Sequence, residues 1–490
     1  EAGLKFVEQE DRGVHAHRER MFTFWEARAE ALRIPGVKDA LQIEDKWLRA
    51  LYLGNDPDPN KVDRPAGSFT NFLLWREIAT HAQAGDLGYI DQVRQGIPII
   101  GPIARSGRWV PREREEFLSE AELCERAWEI KDKIIEKVEK RGVQPLSKWL
   151  WEDMENDLKD GSAIGPFDQK EVDRFFDSDV WIPTPRFGIE QVSKVVDENG
   201  EVIDKIKNRG VDSATENEIN NAAQVTENIK LNSVDKNVTL IKKLLKIKKE
   251  ARISGWVVDE SRAYRQIGIA PSHRRWSVIC LFEPKTRKVM FFIMIGHSFG
   301  LVASVYNYNR RSAMINQILI KEFKLLAAFY FDDKFGFEKE GLVDQAMKIV
   351  QAVHRWVGAK FEEKKTQVSK APTILGVVHD LDEYKIKIKP ERKAALIDEI
   401  KKILEEGSLT PGHAGKLKGK LQFGAGQIWG KFGRAFLLAL SERQYTKCKD
   451  LGIEGPIRKA LEAWIRVLED AKPREIYQFG AAITDAVIFT

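Results

Sequence analysis

The chain of 490 residues has few cysteines and no long uninterrupted apolar run. Its three cysteines, Cys124, Cys280 and Cys448, lie far apart and form no CxxC or paired Cys/His spacing, which excludes a disulfide framework and a zinc signature. The longest apolar stretch, residues 289–306, is broken by glycine, histidine and serine, so it is unsuited to span a bilayer. We therefore expect an intracellular protein without a membrane partner. Both the nucleus and the cytoplasm are compatible with this expectation.

A strong excess of charge of either sign is also missing. Lys and Arg total 79 against 74 Asp and Glu, and a net charge of +5 is too small to indicate nucleic-acid binding by itself. The distribution is uneven, because residues 1–140 carry −4 whereas residues 411–440 carry +5 without any acid. The cations of that second segment are Lys416, Lys418, Lys420, Lys431 and Arg434.

The remaining composition is that of a folded protein of about three domains, with 43% hydrophobic and 31% charged residues. The chain begins at Glu1 without a charged-then-apolar leader and ends in an apolar segment at Thr490. We expect both ends to be cuts in a longer polypeptide.

Residues 1–140 are predicted to form helices joined by loops rich in Pro, Gly and Asp. The clearest helix follows Ser119, which forms an S-x-x-E capping box with Glu122, and it stops at Gly142. No residue pattern in this region indicates chemistry.

The rest of the chain alternates strands and helices, which predicts an α+β fold with helices on one face of a sheet. Asn199-Gly200 separates two alternating runs and predicts a hairpin, whose second strand carries Lys205, Lys207 and Arg209. Further strands are predicted at 253–258, 277–283, 289–295 and 325–331, and helices at 301–322, 342–357, 391–406 and from Pro411 onward.

Two apolar strands lead directly into acids. Val257-Val258 precedes Asp259, and the run 328–331 precedes Asp332 and Asp333. Because burying an unpaired carboxylate is costly, and because neighbouring strands would bring these acids together, the pattern favours a cation between them. Mg²⁺ is suited to such oxygen ligands. Two ions held about 4 Å apart by carboxylates form a site that can catalyse phosphoryl transfer. An isolated Asp-Asp pair would more often be a simple turn after a buried strand.

The neighbouring motifs resemble those of reverse transcriptases from eukaryotic retroelements. Residues 330–333 read Tyr-Phe-Asp-Asp, similar to the family's Y-x-D-D motif, and Asp259 with Tyr264 resembles its first acidic motif, 73 residues upstream of Asp332. Other similar segments, in chain order, are Pro185-Arg186-Phe187, Arg209–Asp212 with Asn220, Ser298-Phe299-Gly300-Leu301, Lys365-Thr366, Leu375-Gly376, Lys416–Leu421 and Phe432-Gly433-Arg434. The resemblance covers about residues 145–445.

The resemblance implies a right-hand polymerase with fingers, an antiparallel palm sheet and a thumb, preceded by a mostly helical N-terminal region. The implied domains are a helical region of unknown role at 1–140, fingers at 141–250, palm at 251–390, thumb at 391–470 and the truncated start of an RNase H-like domain at 471–490. The implied partners are an RNA or DNA template with its primer and a deoxynucleoside triphosphate (dNTP).

The same resemblance implies residue roles. Asp259, Asp332 and Asp333 would bind two Mg²⁺ ions, for which Mn²⁺ could substitute, and Lys365 would donate a proton to departing pyrophosphate. Tyr264 would exclude a ribose 2′-OH, whereas its local alternative is an aromatic residue packed on the sheet. The remaining implied contacts are Phe299 and Gly300 with the nucleotide, Arg209, Lys205 and Lys207 with the triphosphate, and Lys416, Lys418, Lys420, Lys431 and Arg434 with the duplex backbone.

Two segments depart from the family pattern. Ser298 stands where proline is usual, and residues 205–212 lack the usual fingers sequence, which could impair nucleotide and template placement. A decayed or domesticated copy that only binds nucleic acid is therefore an alternative. An RNA-dependent RNA polymerase is a further one, which Tyr264 argues against.

Overall fold

A computed structural model describes residues 11–54, 70–113, 118–196, 202–247, 252–427, 433–445, 451–470 and 472–476. The helices of the described residues are α1 (Asp11–Ala31), α2 (Arg33–Leu41), α3 (Lys46–Leu53), α4 (Phe72–His81), α5 (Gly88–Gln95), α6 (Glu120–Glu125), α7 (Ala127–Arg141), α8 (Ser147–Lys159), α9 (Gln169–Phe176), α10 (Val234–Ile247), α11 (Val302–Lys321), α12 (Val343–Trp356), α13 (Pro390–Glu406), α14 (Pro411–Gln427), α15 (Leu437–Tyr445) and α16 (Pro456–Asp470).

The strands complete a mixed helix and sheet architecture. They are β1 (Gly101–Pro102), β2 (Val110–Pro111), β3 (Ala163–Phe167), β4 (Pro183–Val196), β5 (Val202–Asp212), β6 (Ala223–Gln224), β7 (Glu227–Asn228), β8 (Ile253–Asp259), β9 (Val278–Phe282), β10 (Val289–Met294), β11 (Ala327–Tyr330), β12 (Asp333–Lys339), β13 (Gln367–Ser369), β14 (Thr373–Ile374), β15 (Val377–Asp380), β16 (Lys385–Lys387) and β17 (Arg474–Glu475). Among the described residues, no helix is both long enough and apolar enough to cross a membrane.

The largest sheet has the strand order β3-β10-β9-β4-β5. Its outer pair is the predicted hairpin, with Val196 opposite Val202 on either side of the Asn199-Gly200 turn, which lies outside the described residues. The predicted strands at 277–283 and 289–295 are present as β9 and β10, which pair antiparallel. Only the β4–β9 contact in this sheet is parallel.

The sheet that carries the acids is antiparallel, with the order β11-β12-β8-β13. Every residue of β8 is buried, which requires cover on both faces. Trp256 and Val258 join one apolar core with residues of α11 and α12, whereas Val257 joins another with residues of α10. The expectation that helices cover one face only was therefore wrong, because the basic helix α10 is amphipathic and covers the second face.

The N-terminal helices are packed onto this sheet's first core. Trp25 of α1 and Trp75 of α4 share a cluster with Ile318 of α11 and Val353 of α12. Buried ion pairs accompany the apolar contact, including Arg18 with Glu338 of β12 at 2.6 Å. The domain boundaries expected from the sequence stay a prediction, but the region before residue 140 contributes to the core around the acidic sheet.

The capping box of Ser119 and Glu122 is present as predicted, and Gly142 ends the helical segment with a positive φ. The segment nevertheless forms two helices, because the helical conformation is interrupted at Arg126, between α6 and α7. The guanidinium of Arg126 binds Glu218 bidentately at 2.7 and 2.9 Å, so the residue at the interruption is held by another part of the chain.

Candidate functional site

Three acids meet where β8 ends and β12 begins. Asp259 is the last residue of β8 and lies opposite Asp333, the first residue of β12, while Asp332 lies in the turn just before it. That turn requires a φ of +54° at Phe331, a left-handed conformation that is uncommon for a residue with a side chain.

The strand that leads into Asp332 is not a neighbour of β8. The sequence analysis expected the two strands that end in acids to be direct neighbours in the sheet. Instead, β12 lies between β11 and β8. The tight turn from β11 to β12 places Asp332 beside the β12 position that pairs with Asp259.

The acids repel one another. Burial, followed by the charges of Asp332 and Asp259, raises the pKa of Asp333 to about 6. Burial also raises the pKa of Asp332, and Asp259 adds to that effect. A bound cation would relieve this repulsion, and carboxylate oxygens are the donors that Mg²⁺ prefers.

The donor chemistry therefore fits the two ions implied by the sequence. Within the described ranges, however, no three Asp, Glu, His or Cys side chains converge closely enough to hold a metal ion. The structure shows adjacency of Asp259, Asp332 and Asp333, and their joint metal binding stays a prediction.

Lys365 lies at the same site. Its ammonium donates a hydrogen bond to Asp259 Oδ2, and its side chain is about half exposed. Burial lowers the pKa of Lys365, but the hydrogen bond to Asp259 and the charge of that acid outweigh burial and raise it overall. The sequence predicted its proximity to the acids through the resemblance alone.

The β4–β5 hairpin presents its three cations on one face. Lys205, Lys207 and Arg209 alternate along β5, opposite Ser193, Gln191 and Ile189 of β4. Burial and the charges of Arg209 and Lys365 lower the pKa of Lys207, and Asp259 acts on it in the opposite direction. This hairpin face is therefore close enough to the acids for their charges to interact.

Tyr264 and Phe299 come together beside the acids. Their ring centroids are 4.9 Å apart, and Tyr264 also contacts the ring of Tyr308 at 5.2 Å. Burial, with a contribution from the charge of Asp332, raises the pKa of Tyr264 to about 12. The structure thus brings together the predicted aromatic residues and one of the predicted acids.

The loop after Phe299 depends on Gly300. Its φ is +90°, and a side chain there would overlap the backbone carbonyl oxygen of Asp212. Asn220 holds the same loop, since its amide donates to the carbonyl of Gly300 at 2.8 Å and accepts from the backbone N–H of Val302 at 2.8 Å. The nucleotide loop predicted from the sequence is therefore fixed to the base of the hairpin.

Ser298 does not disturb this loop. It is buried, and its hydroxyl lies 2.9 Å from the hydroxyl of Ser277. The position usually occupied by proline is thus filled by a hydrogen-bonded side chain.

A buried ionic network lies close to the loop of Phe299 and Gly300. The sequence analysis predicted no role for it. Arg186 contacts Asp212 at 2.5 Å and Asp157 at 3.4 Å, while Arg265 contacts Asp157 at 3.1 Å. The guanidinium of Arg265 also lies 5.4 Å from the ring centroid of Phe299. Arg186 and Asp212 stood in the motifs, but Asp157 is distant in sequence and gave no signal. The network connects the hairpin to the aromatic pair.

The sequence analysis gave no role to two further charged residues, Glu260 and Lys334. Each directly follows an acid of the motifs and belongs to no motif itself. They form a fully buried ion pair behind Asp259 and Asp333.

Two of the basic residues of the expected thumb have partners within the protein. Lys418 of α14 lies 3.1 Å from Gln444 of α15, and Lys420 forms a 2.8 Å ion pair with Glu399 of α13. Lys416 and Arg434 are exposed, and Lys431 lies outside the described residues. Duplex binding by all five residues stays a prediction, although Lys418 and Lys420 already have intramolecular contacts.

The glycines of α14 differ in their surroundings. A side chain at Gly412 or Gly419 would face open space, whereas one at Gly415 would meet Gln444 of α15. Gly415 therefore serves packing within the protein, and the other two lie on open surface.

No family model and no curated protein matches the sequence. Among solved structures, the chain is similar to the foamy viral protease–reverse transcriptase in complexes with double-stranded DNA, with TM-scores of 0.45 and 0.44, and with an RNA/DNA hybrid, with a TM-score of 0.48.

The sequence identity is 12% in each case. The matches cover 82% of this chain with 61% of the first structure, 82% with 47% of the hybrid complex, and 83% with 73% of the third. At this identity, neither activity nor residue roles follow from the similarity.

Proposed function

We propose that this protein is the polymerase region of a retroelement reverse transcriptase, an RNA-directed DNA polymerase that extends a primer with dNTPs. The observation that carries the proposal is the meeting of Asp259 and Asp333 on paired strands, with Asp332 in the intervening turn and a raised pKa at Asp332 and Asp333. Such an acidic cluster suits binding of divalent cations and phosphoryl transfer.

The reaction forms a bond from the primer 3′ oxygen to the α-phosphorus of the dNTP and breaks the bond from that phosphorus to the pyrophosphate. The hydroxyl proton leaves to solvent. Asp259, Asp332 and Asp333 would hold two Mg²⁺ ions, or Mn²⁺ in their place. When bound, these ions would activate the 3′-OH and neutralise the charge of the leaving group.

Lys365 would give a proton to pyrophosphate. Its raised pKa keeps the ammonium protonated at neutral pH, so a proton is available. Because this ammonium is bonded to Asp259, the proposal requires it to exchange that carboxylate for a phosphate oxygen as the nucleotide enters.

Nucleotide selection would rest on the residues around the acids. Tyr264, supported by Phe299 and Tyr308, would fill the space of a ribose 2′-OH. Arg209, with Lys205 and Lys207 on the same strand face, would bind the triphosphate, for which a guanidinium offers bidentate hydrogen bonds.

Primer extension on an RNA template tests the proposal. The wild type should incorporate dNTPs and discriminate against ribonucleotides (rNTPs), whereas Asp332→Asn should lose at least about 100-fold in rate because it removes a carboxylate that would hold the metal ions. Asp344→Asn, in the exposed first turn of α12, is the matched control and should remain as active as the wild type. Equal extension by wild type and Asp332→Asn would refute the proposal.

The contact between Lys365 and Asp259 favours one competing function. An ammonium that already satisfies this acid is compatible with a decayed copy that retains the fold and binds nucleic acid without polymerising. Absence of extension together with salt-dependent binding of an RNA/DNA duplex would support that function. Efficient rNTP incorporation would instead indicate an RNA polymerase.

A further inference from the structure

Two buried charges lie directly behind the acidic site. Glu260 follows Asp259 and Lys334 follows Asp333, and their side chains are 0% and 1% exposed. The ammonium of Lys334 donates to Glu260 Oε1. Because successive residues of an extended chain point to opposite faces, this pair lies on the face turned away from Asp259 and Asp333.

The pair connects two strands at the end where the acids meet. Glu260 continues β8 and forms a bridge with Phe361, while Lys334 is the second residue of β12 and lies opposite Val258. An ion pair here restrains the separation of the two strand ends. It therefore restrains the separation of Asp259 and Asp333, each one residue away.

The same ammonium reaches the aromatic residues. Lys334 Nζ lies 3.3 Å from the hydroxyl of Tyr308 and 5.6 Å from its ring centroid. Tyr308 in turn contacts the ring of Tyr264 at 5.2 Å. A continuous series of contacts thus leads from Glu260 to the residue proposed to select the sugar.

Fold stability alone is a weak reason for such a pair. Taking two charges out of water is costly, and apolar replacements of a buried ion pair are often neutral or stabilising. The neighbouring residues of β8 already belong to apolar cores on both faces of the sheet. A charged pair at this position is better explained by the geometry that it imposes.

We propose that Glu260 and Lys334 are positioning residues, which hold β8 against β12 to fix the spacing of Asp259 and Asp333 and support Tyr264 through Tyr308. This inference rests on the proposed function. It adds to that function two residues that touch neither substrate nor metal.

The test compares two buried ion pairs that involve the same strand. The full chain carrying Glu260→Met with Lys334→Met is set against Arg18→Met with Glu338→Met, a pair at the far end of β12. The first readout is Mn²⁺ affinity, measured by electron paramagnetic resonance with the metal alone. We expect about 10- to 100-fold weaker binding for the first variant, the usual effect of losing support behind metal ligands, and unchanged binding for the second.

The second readout is nucleotide selection. The first variant should show a lower kcat with little change in KM for the dNTP, and a lower preference for dNTP over rNTP, because Tyr264 loses support. A purely structural role would instead lower the thermal midpoint of both variants without moving Mn²⁺ affinity or sugar preference.

If the double methionine variant does not fold, a milder variant tests whether Glu260 positions the acids. Glu260→Asp keeps the charge but shortens the side chain, so Mn²⁺ affinity should fall several-fold, whereas Glu338→Asp should leave it unchanged. Wild-type Mn²⁺ affinity in Glu260→Asp or in the double methionine variant would overturn the inference.

The two proposals fail in different ways. A wild-type protein that binds Mn²⁺ through its acids but synthesises no DNA would refute the proposed function, and the Mn²⁺ measurements would still decide the role of Glu260 and Lys334. A wild type that binds Mn²⁺ no better than Asp259→Asn would overturn the inference as well.

Discussion

At the scale of single residues, the site depends on backbone positions as much as on charges. Gly300 has a φ of +90° and lies against the carbonyl of Asp212, so the loop beside Phe299 can pass close to the hairpin only without a side chain. Gly419 in α14 is the opposite case, because a side chain there would face open space.

Substitution of these two glycines should have opposite effects. Gly300→Ala should lower the free energy of unfolding by about 1–3 kcal/mol, owing to strain and overlap. Gly419→Ala should raise it by up to about 1 kcal/mol, because alanine favours an exposed helix. Urea unfolding measures both, and equal stability of Gly300→Ala and the wild type would contradict the geometry of the loop.

Asp333 should make stability depend on pH. Its pKa in the folded protein is about 6, above the ordinary value of 3.8, so the fold favours the neutral form. That stabilisation is fully present below about pH 4 and is lost as the pH rises through 6.

Asp333→Asn should therefore be more stable than the wild type at pH 8 by about 1–3 kcal/mol, and the difference should vanish near pH 4. Urea unfolding in the presence of a chelator measures this difference. If the variant were no more stable at pH 8, the acids would not repel one another as the structure indicates.

The sequence named candidate site residues where short local motifs contained them. Asp259, Asp332 and Asp333, the pair of Tyr264 and Phe299, and the cations of β5 were all named from short segments. Glu260 and Lys334 were missed, since a charged residue after a strand ordinarily faces solvent. Their burial depends on contacts between segments 74 residues apart.

At the scale of elements, the long hairpin β4–β5 is the feature that the sequence predicted best. Its turn residues and alternating runs are local, so its register follows from a few neighbouring positions. By contrast, the position of β12 between β11 and β8 is set by tertiary pairing, and the break between α6 and α7 is anchored through Glu218, 92 residues from Arg126.

The two faces of β5 should differ in function. Arg209→Ala removes a cation from the face near the acids and should raise KM for the dNTP about tenfold, with a smaller effect on kcat. Asp204→Ala alters a charge on the opposite face of the same strand and should change KM less than twofold. Steady-state primer extension measures both, and a wild-type KM for Arg209→Ala would remove the hairpin from the nucleotide site.

At the scale of the whole molecule, the N-terminal helices form part of the support of the acidic sheet. Arg18 donates to the backbone carbonyls of Phe323 and Lys324 and pairs with Glu338 of β12. Glu322, just after α11, accepts from Trp25 and contacts His81. These partners lie between 241 and 320 residues apart, which is why the sequence assigned this region no role.

Arg18→Met should destabilise the protein by about 3–5 kcal/mol, because it leaves Glu338 buried without its ionic partner. Lys148→Met is the control, since Lys148 is exposed and lies 3.9 Å from Glu152, and it should have little effect. The free energy of unfolding from urea titration distinguishes them. A loss below about 1 kcal/mol for Arg18→Met would show that the region is only loosely attached.

The shared core around Trp25, Trp75 and Ile318 has a consequence for how such a gene can change. A recombination event that joined residues 145–445 to a foreign upstream segment would keep every acid of the site but expose the apolar sides of α11 and α12 that the upstream helices cover. Descendants of this protein should therefore inherit the upstream helices and the acidic strands as one block, and variation by exchange of modules should fall elsewhere.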